Sequence, residues 1–132
     1  MTAAELRQQA QERSFTFVKK WADETRERAE DQSFWNDFFE IFGIDRKASD
    51  IEFQYEVRIN IDQKGYIDVL WPGQVLIEHK SRGKNREKAL NQAMLYWGAL
   101  PTEAKTPYIL LCDFQQFVMY ETATFEKIAE FI

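Results

Sequence analysis

YIDVLWPGQVLIEHK, residues 66–80, decides how this chain folds. Two short runs dense in β-branched and aromatic residues, YIDVLW and QVLIEHK, flank Pro72-Gly73, and that pattern predicts a β-hairpin. Side chains alternate across a strand, so Glu78 and Lys80 fall on one face while Ile77 and His79 fall on the other. On the partner strand Asp68 opposes Ile67 and Val69 in the same way. A carboxylate from each strand, with a lysine two residues further on, thus converges at the mouth of one hairpin. All three interrupt otherwise apolar strands, where an unpaired buried charge costs several kcal/mol. Two carboxylates alone repel each other. A divalent cation removes the repulsion, and hard oxygen ligands suit Mg²⁺ or Mn²⁺. Such a group suits hydrolysis of a phosphodiester: the cation polarises the phosphoryl oxygen and acidifies a water, and Lys80 stabilises the charge that develops at phosphorus. The main-chain carbonyl of His79 is a candidate further ligand, with its imidazole pointing away into the core. The plain alternative is a Glu78–Lys80 salt bridge across the sheet, with Asp68 as a turn acid.

Upstream, IEFQYEVRINI alternates apolar and polar from Ile51 to Ile61 and predicts a strand with one wet face, closed by a turn at Asp62-Gln63-Lys64-Gly65. Residues 3–30 are free of Gly and Pro and predict a helix, with Phe15, Val18, Ala22 and Thr25 at three- and four-residue steps. A second helical stretch, SFWNDFFEIF, is capped by Asp31 or Ser33 and stopped by Gly43. Its aromatic density predicts a helix buried on more than one side.

Downstream, NREKALNQAMLYW reads as a helix ended by Gly98 and Pro101, PYILLCDF and QFVMYE as two strands, and TFEKIAEFI as a final helix. The order is α-α-β-β-β-α-β-β-α, without repeats or a linker. The expected fold class is one α/β domain over residues 1–132 with a mixed central sheet: a helical part at 3–43, a sheet core at 51–120 and a helix at 123–132.

Composition narrows the function classes. The chain has 132 residues, 45% of them hydrophobic and 15% aromatic, so disorder is excluded. No apolar run reaches the ~18 residues of a membrane span and no signal-peptide core opens the chain, so the expectation is a soluble, cytoplasmic protein. One Cys and one His exclude a disulfide framework and a zinc site built from those residues alone. A net charge of −5 argues against unaided grip on nucleic acid. The only net-positive third is residues 53–100, where Lys80, Arg82, Lys84, Arg86 and Lys88 bunch within nine residues.

Asp68-x9-Glu78-His79-Lys80 resembles the core of the PD-(D/E)xK nuclease superfamily. FVKKW at 17–21, SFWNDFFEIFGI at 33–44, GYIDVLWPG at 65–73, LIEHKSRGK at 76–84, ALNQAMLYW at 89–97 and PYILLCDFQQFVMY at 107–120 are similar to the amino-terminal nuclease domain of MmeI-like (type IIL) restriction–modification enzymes. The resemblance covers residues 15–120. It implies a restriction-endonuclease-like fold, a prokaryotic host, and Mg²⁺-dependent cleavage of double-stranded DNA, with Mn²⁺ as a substitute. Asp68 and Glu78 become metal-binding carboxylates and Lys80 the catalytic lysine. It also implies an acid from the first helix, for which Glu27 is the candidate, and a Q-x-x-x-Y pair, Gln92 and Tyr96, on the helix after the lysine strand. Ser81, Arg82 and Lys84 become a phosphate-contacting loop. The chain has neither a Gly-rich S-adenosylmethionine loop nor an Asn-Pro-Pro-Tyr type methylation motif. The expectation is therefore an amino-terminal cleavage module, excised or naturally split, whose partners are double-stranded DNA and the methyltransferase and target-recognition domains of the full enzyme, with a homodimer as one route to cutting both strands. Two other readings remain: a non-catalytic nuclease-like module that binds DNA or protein, and a nuclease acting on ends or junctions.

Overall fold

The computed structural model describes residues 2–22, 27–45, 49–80 and 85–131, with the side chains of 27–31 outside that description. Helix α1 (Ala3–Trp21) opens at a capping box: the Thr2 hydroxyl accepts from the Glu5 amide while the Glu5 carboxylate accepts from that of Thr2. Helix α2 spans Glu27–Ile41, so the helical sequence at 3–30 is divided and Glu27 begins the second helix. Asp31 and Ser33 therefore lie within α2 rather than capping it. The buried face of α1 also differs from the expected one. Phe17 and Trp21 are buried, while Phe15 and Val18 stand in solvent. The spacing fits either stripe, and the aromatic side chains of α2 decide between them: Phe34 takes the Phe17 and Trp21 rings at centroid distances of 4.9 and 5.4 Å.

Six strands form one sheet in chain order: β1 (Glu52–Asn60), β2 (Gln63–Trp71), β3 (Val75–His79), β4 (Tyr108–Cys112), β5 (Phe117–Glu121) and β6 (Lys127–Phe131). Among the described strands only β3 and β4 pair in parallel, joined by the crossover helix α3 (Arg86–Ala99). Helices α1 and α2 cover one face over Val69, Ile77, Leu110 and Phe117; α3 covers the other over Leu70, Leu76, Ile109 and Leu111. A mixed six-stranded sheet flanked by helices is the restriction-endonuclease-like architecture expected of this sequence. The Pro72-Gly73 hairpin forms as read, with Gly73 at φ +74° and the Gln74 amide donating to the Trp71 carbonyl. The preceding turn is tighter than expected, because β2 already begins at Gln63 and Gly65 pairs with Val57 inside the ladder.

The residues expected as a final helix form β6 instead. Lys127–Phe131 pairs with β5, the Phe131 ring stacks on Phe117 at 5.0 Å, and Glu130 on the opposite face reaches Arg86. The open ladder of β5 offers backbone partners that a detached helix would forgo, and this overrides the helical composition of EKIAEF.

Plain alternation fails at one point with consequences for the site. Ile51 and Phe53 pack on the α1–α2 side, but Tyr55 and Val57 pack on the α3 side. Gln54 between them has φ +54°, a left-handed conformation that turns β1 over. The register puts Phe53 beside Val69 and Tyr55 beside Ile67, which leaves Gln54 opposite Asp68. Strand β2 turns over at the same point, so Ile67 and Val69 lie on opposite faces rather than together against Asp68.

Candidate active site

Strands β2 and β3 pair only at Val69–Ile77, Leu70–Leu76 and Trp71–Val75, and then part. Where the ladder stops, the side chains of the next two residues replace it. The His79 amide donates to Asp68 Oδ2 at 2.8 Å, and the Asp68 amide points to Glu78 Oε1 at 3.4 Å. The two carboxylates thus satisfy the amides that the parting strands expose, which draws both acids into one cleft. Gln54 Nε2 lies 3.4 Å from Asp68 Oδ1, on the side of β1.

Glu78 is 1% exposed. Burial first, and then the charge of Asp68, holds its carboxyl well above the usual range, with Lys80 pulling the other way. Lys80 Nζ is 3.9 Å from Glu78 Oε2, too far for a tight ion pair. Its short bond goes to Gln92 Oε1 at 2.7 Å, and Gln92 Nε2 donates in turn to the Tyr96 hydroxyl at 3.0 Å. Burial, followed by the charges of Glu78 and Asp68, raises the Tyr96 phenol. Helix α3 presents Gln92 and Tyr96 one turn apart, so both face the same strand ends.

The His79 imidazole lies on the other face of β3, in the aromatic core. Trp35 Nε1 donates to its Nδ1 at 2.8 Å, and its ring packs on Phe34 and Phe114 at centroid distances of 5.0 and 4.1 Å. The ring is therefore neutral with its proton on Nε2, which has no hydrogen-bond partner among the described residues. Burial lowers its pKa to about 3. Only the main chain of His79 is left for the cleft.

The expected residues divide into groups. Asp68, Glu78, Lys80, Gln92 and Tyr96 come together, with Gln92 bonded both to Lys80 and to Tyr96. Glu27 is the first residue of α2, its side chain outside the described residues, as are Ser81, Arg82 and Lys84. Among the described residues no group of three or more His, Cys, Asp or Glu side chains gathers as a metal site. The carboxylates present are the pair Asp68 and Glu78. Their chemistry fits a divalent cation: oxygen donors only, one of them buried against a like charge. A hollow of about 980 Å³ between α1 and α2 contains none of these residues, while a smaller one of about 200 Å³ borders Lys80.

Three residues that shape the site carry no functional reading in the sequence: Gln54 and Gly65 on its cleft side, and Trp35 in the core behind His79. Gln54 carries no signal that separates it from any polar strand residue. Trp35 is one aromatic among several in its helix, with no sequence signal that sets it apart. Gly65 did have a signal, since a lone glycine inside a strand marks a close approach of other atoms.

The sequence matches the family described as MmeI, N-terminal domain, over residues 6–132. No curated protein and no solved structure matches the chain. The match spans nearly the whole chain, which therefore belongs to the MmeI N-terminal domain family, a family associated with restriction enzymes. Among the described residues no helix is long and apolar enough to cross a membrane.

Proposed function

We propose that this member of the MmeI N-terminal domain family is the cleavage domain of a restriction–modification enzyme, a Mg²⁺-dependent endonuclease acting on double-stranded DNA. The observation that carries the reading is the paired carboxylates of Asp68 and Glu78 at the parting of β2 and β3, with the Lys80 ammonium 3.9 Å from Glu78. Asp68, Glu78 and the His79 carbonyl would hold the cation. When bound, it would supply Lewis-acid polarisation of the phosphoryl oxygen and an acidified water. Lys80 stabilises charge developing at phosphorus, and its bond to Gln92 holds the ammonium in the cleft. Target recognition and methylation belong to other domains of the enzyme, a division that accommodates the net charge of −5.

A purely structural role would have Lys80 paired tightly with Glu78. The 3.9 Å separation and the raised Glu78 carboxyl argue against that. The test is nicking of supercoiled plasmid in Mg²⁺ or Mn²⁺. Lys80→Ala, Asp68→Ala and Glu78→Ala should each lose at least ~100-fold in rate while keeping the wild-type circular dichroism spectrum. Full activity in Lys80→Ala overturns the assignment.

A further inference from the structure

We propose that Gly65 and Tyr96 are positioning residues that set the place of the Lys80 ammonium, an inference that rests on the function proposed above. The hydrogen-bond chain has a fixed direction. An ammonium can only donate, so Gln92 must turn its oxygen to Lys80 and its amide nitrogen to Tyr96, whose hydroxyl must accept. The ammonium thus fixes which way the Gln92 amide faces, and the Tyr96 hydroxyl, accepting from the other end, anchors the amide in place.

The hydroxyl can stand there only because residue 65 has no side chain. A Cβ on Gly65 would lie 2.5 Å from Tyr96 Cε1 and 2.7 Å from both Cζ and the hydroxyl oxygen. Gly65 needs no unusual backbone conformation and sits within the β1–β2 ladder opposite Val57. Its glycine character is therefore explained by the ring above it. The clashing atoms are the far end of a side chain, which can swing away at little cost to folding. The consequence of filling this space is thus a displaced hydroxyl rather than a lost fold. Gly65, Tyr96 and Gln92 form a seat on the α3 side of the sheet, linking the start of β2 to the end of β3.

The test uses the whole chain with ¹³C-labelled lysine, the Lys80 Cε resonance being identified by its loss in Lys80→Arg. Gly65→Ala and Tyr96→Phe should each shift that resonance at fixed pH in metal-free protein. Each should lower the plasmid-nicking kcat by about tenfold, the worth of one hydrogen bond to a charged group, with KM for plasmid and the melting temperature little changed. In a Tyr96→Ala background, adding Gly65→Ala should alter neither reading further. An unmoved Lys80 resonance in Tyr96→Phe overturns the proposal, and so does a Gly65→Ala effect of equal size in both backgrounds. If wild type fails to nick, the resonance still decides the positioning role, and the silence counts against the proposed function alone.

Discussion

Gln54 shows what one residue does here. Its φ of +54° costs an L-residue roughly 1 kcal/mol or more, and it places the strand reversal directly opposite Asp68. Gln54→Gly should therefore leave stability equal or raise it by up to ~1 kcal/mol, whereas Gln54→Val should lower it by ~1–2 kcal/mol. Urea denaturation of the two variants checks this. His79 makes a second prediction at the same scale. Its folded pKa of about 3 lies below the ordinary 6.5, so between those values the unfolded chain binds the proton and the folded chain does not. Stability from this group is thus present above pH 6.5 and lost as the pH falls toward 3. Glu78, held above its usual range, acts in the opposite sense: its contribution is present at low pH and lost as the pH rises. Comparison with His79→Gln isolates the histidine. Wild type should lose more melting temperature than this variant between pH 7.5 and 5. An equal loss would mean that His79 takes up a proton in the fold.

Elements show which local signals survive packing. The hairpin turn and α3 form where the residues indicate, because Gly73 supplies the left-handed turn and Asn85 caps α3 by accepting from the Lys88 amide. Strand β6 does not follow its local signal. EKIAEF has acceptable helical composition, but its alternation also places Phe131 on the Phe117 face and Glu130 on the Arg86 face. Phe131→Ala should cost ~1 kcal/mol through the lost ring pair, and Ile128→Ala, at an exposed edge position, less than ~0.5 kcal/mol. Thermal melts of both variants test the strand assignment, since a free C-terminal helix would give two small and equal effects.

The whole molecule is a sheet with separate tasks on its two faces. The α1–α2 side is an aromatic core that holds His79 through Trp35, and the α3 side positions Lys80 through Gln92. The carboxylates sit between, where β2 and β3 part. Mn²⁺ at about a hundred times its dissociation constant should raise stability by ~2.7 kcal/mol, and Asp68→Asn should abolish the increase in a thermal-shift titration. With a net charge of −5 the chain alone should bind duplex only in the ~0.1 mM range or more weakly. Fusion to an unrelated DNA-binding domain should raise cleavage near that domain's site by ~100-fold or more. A fusion no faster than the free domain would count against a tethered cleavage module.

Asp68, Glu78 and Lys80 were legible in the sequence because a charge inside an apolar strand is conspicuous wherever the strand packs, and Pro72-Gly73 fixes a hairpin that brings the two strands together. Gln92 and Tyr96 were legible through the resemblance, whose Q-x-x-x-Y spacing puts both residues on one helix face. The sequence by itself therefore determined the order of most elements, the mixed sheet and the family. What remained was decided by contacts between distant residues. Which stripe of α1 is buried depends on the rings of α2. The strand state of residues 127–131 depends on the open edge of β5. The reversal at Gln54 depends on pairing across β1 and β2, and the role of Gly65 on a tyrosine thirty-one positions away. Local pattern specifies which conformations a segment can adopt, and the partner across the sheet or the core selects one of them.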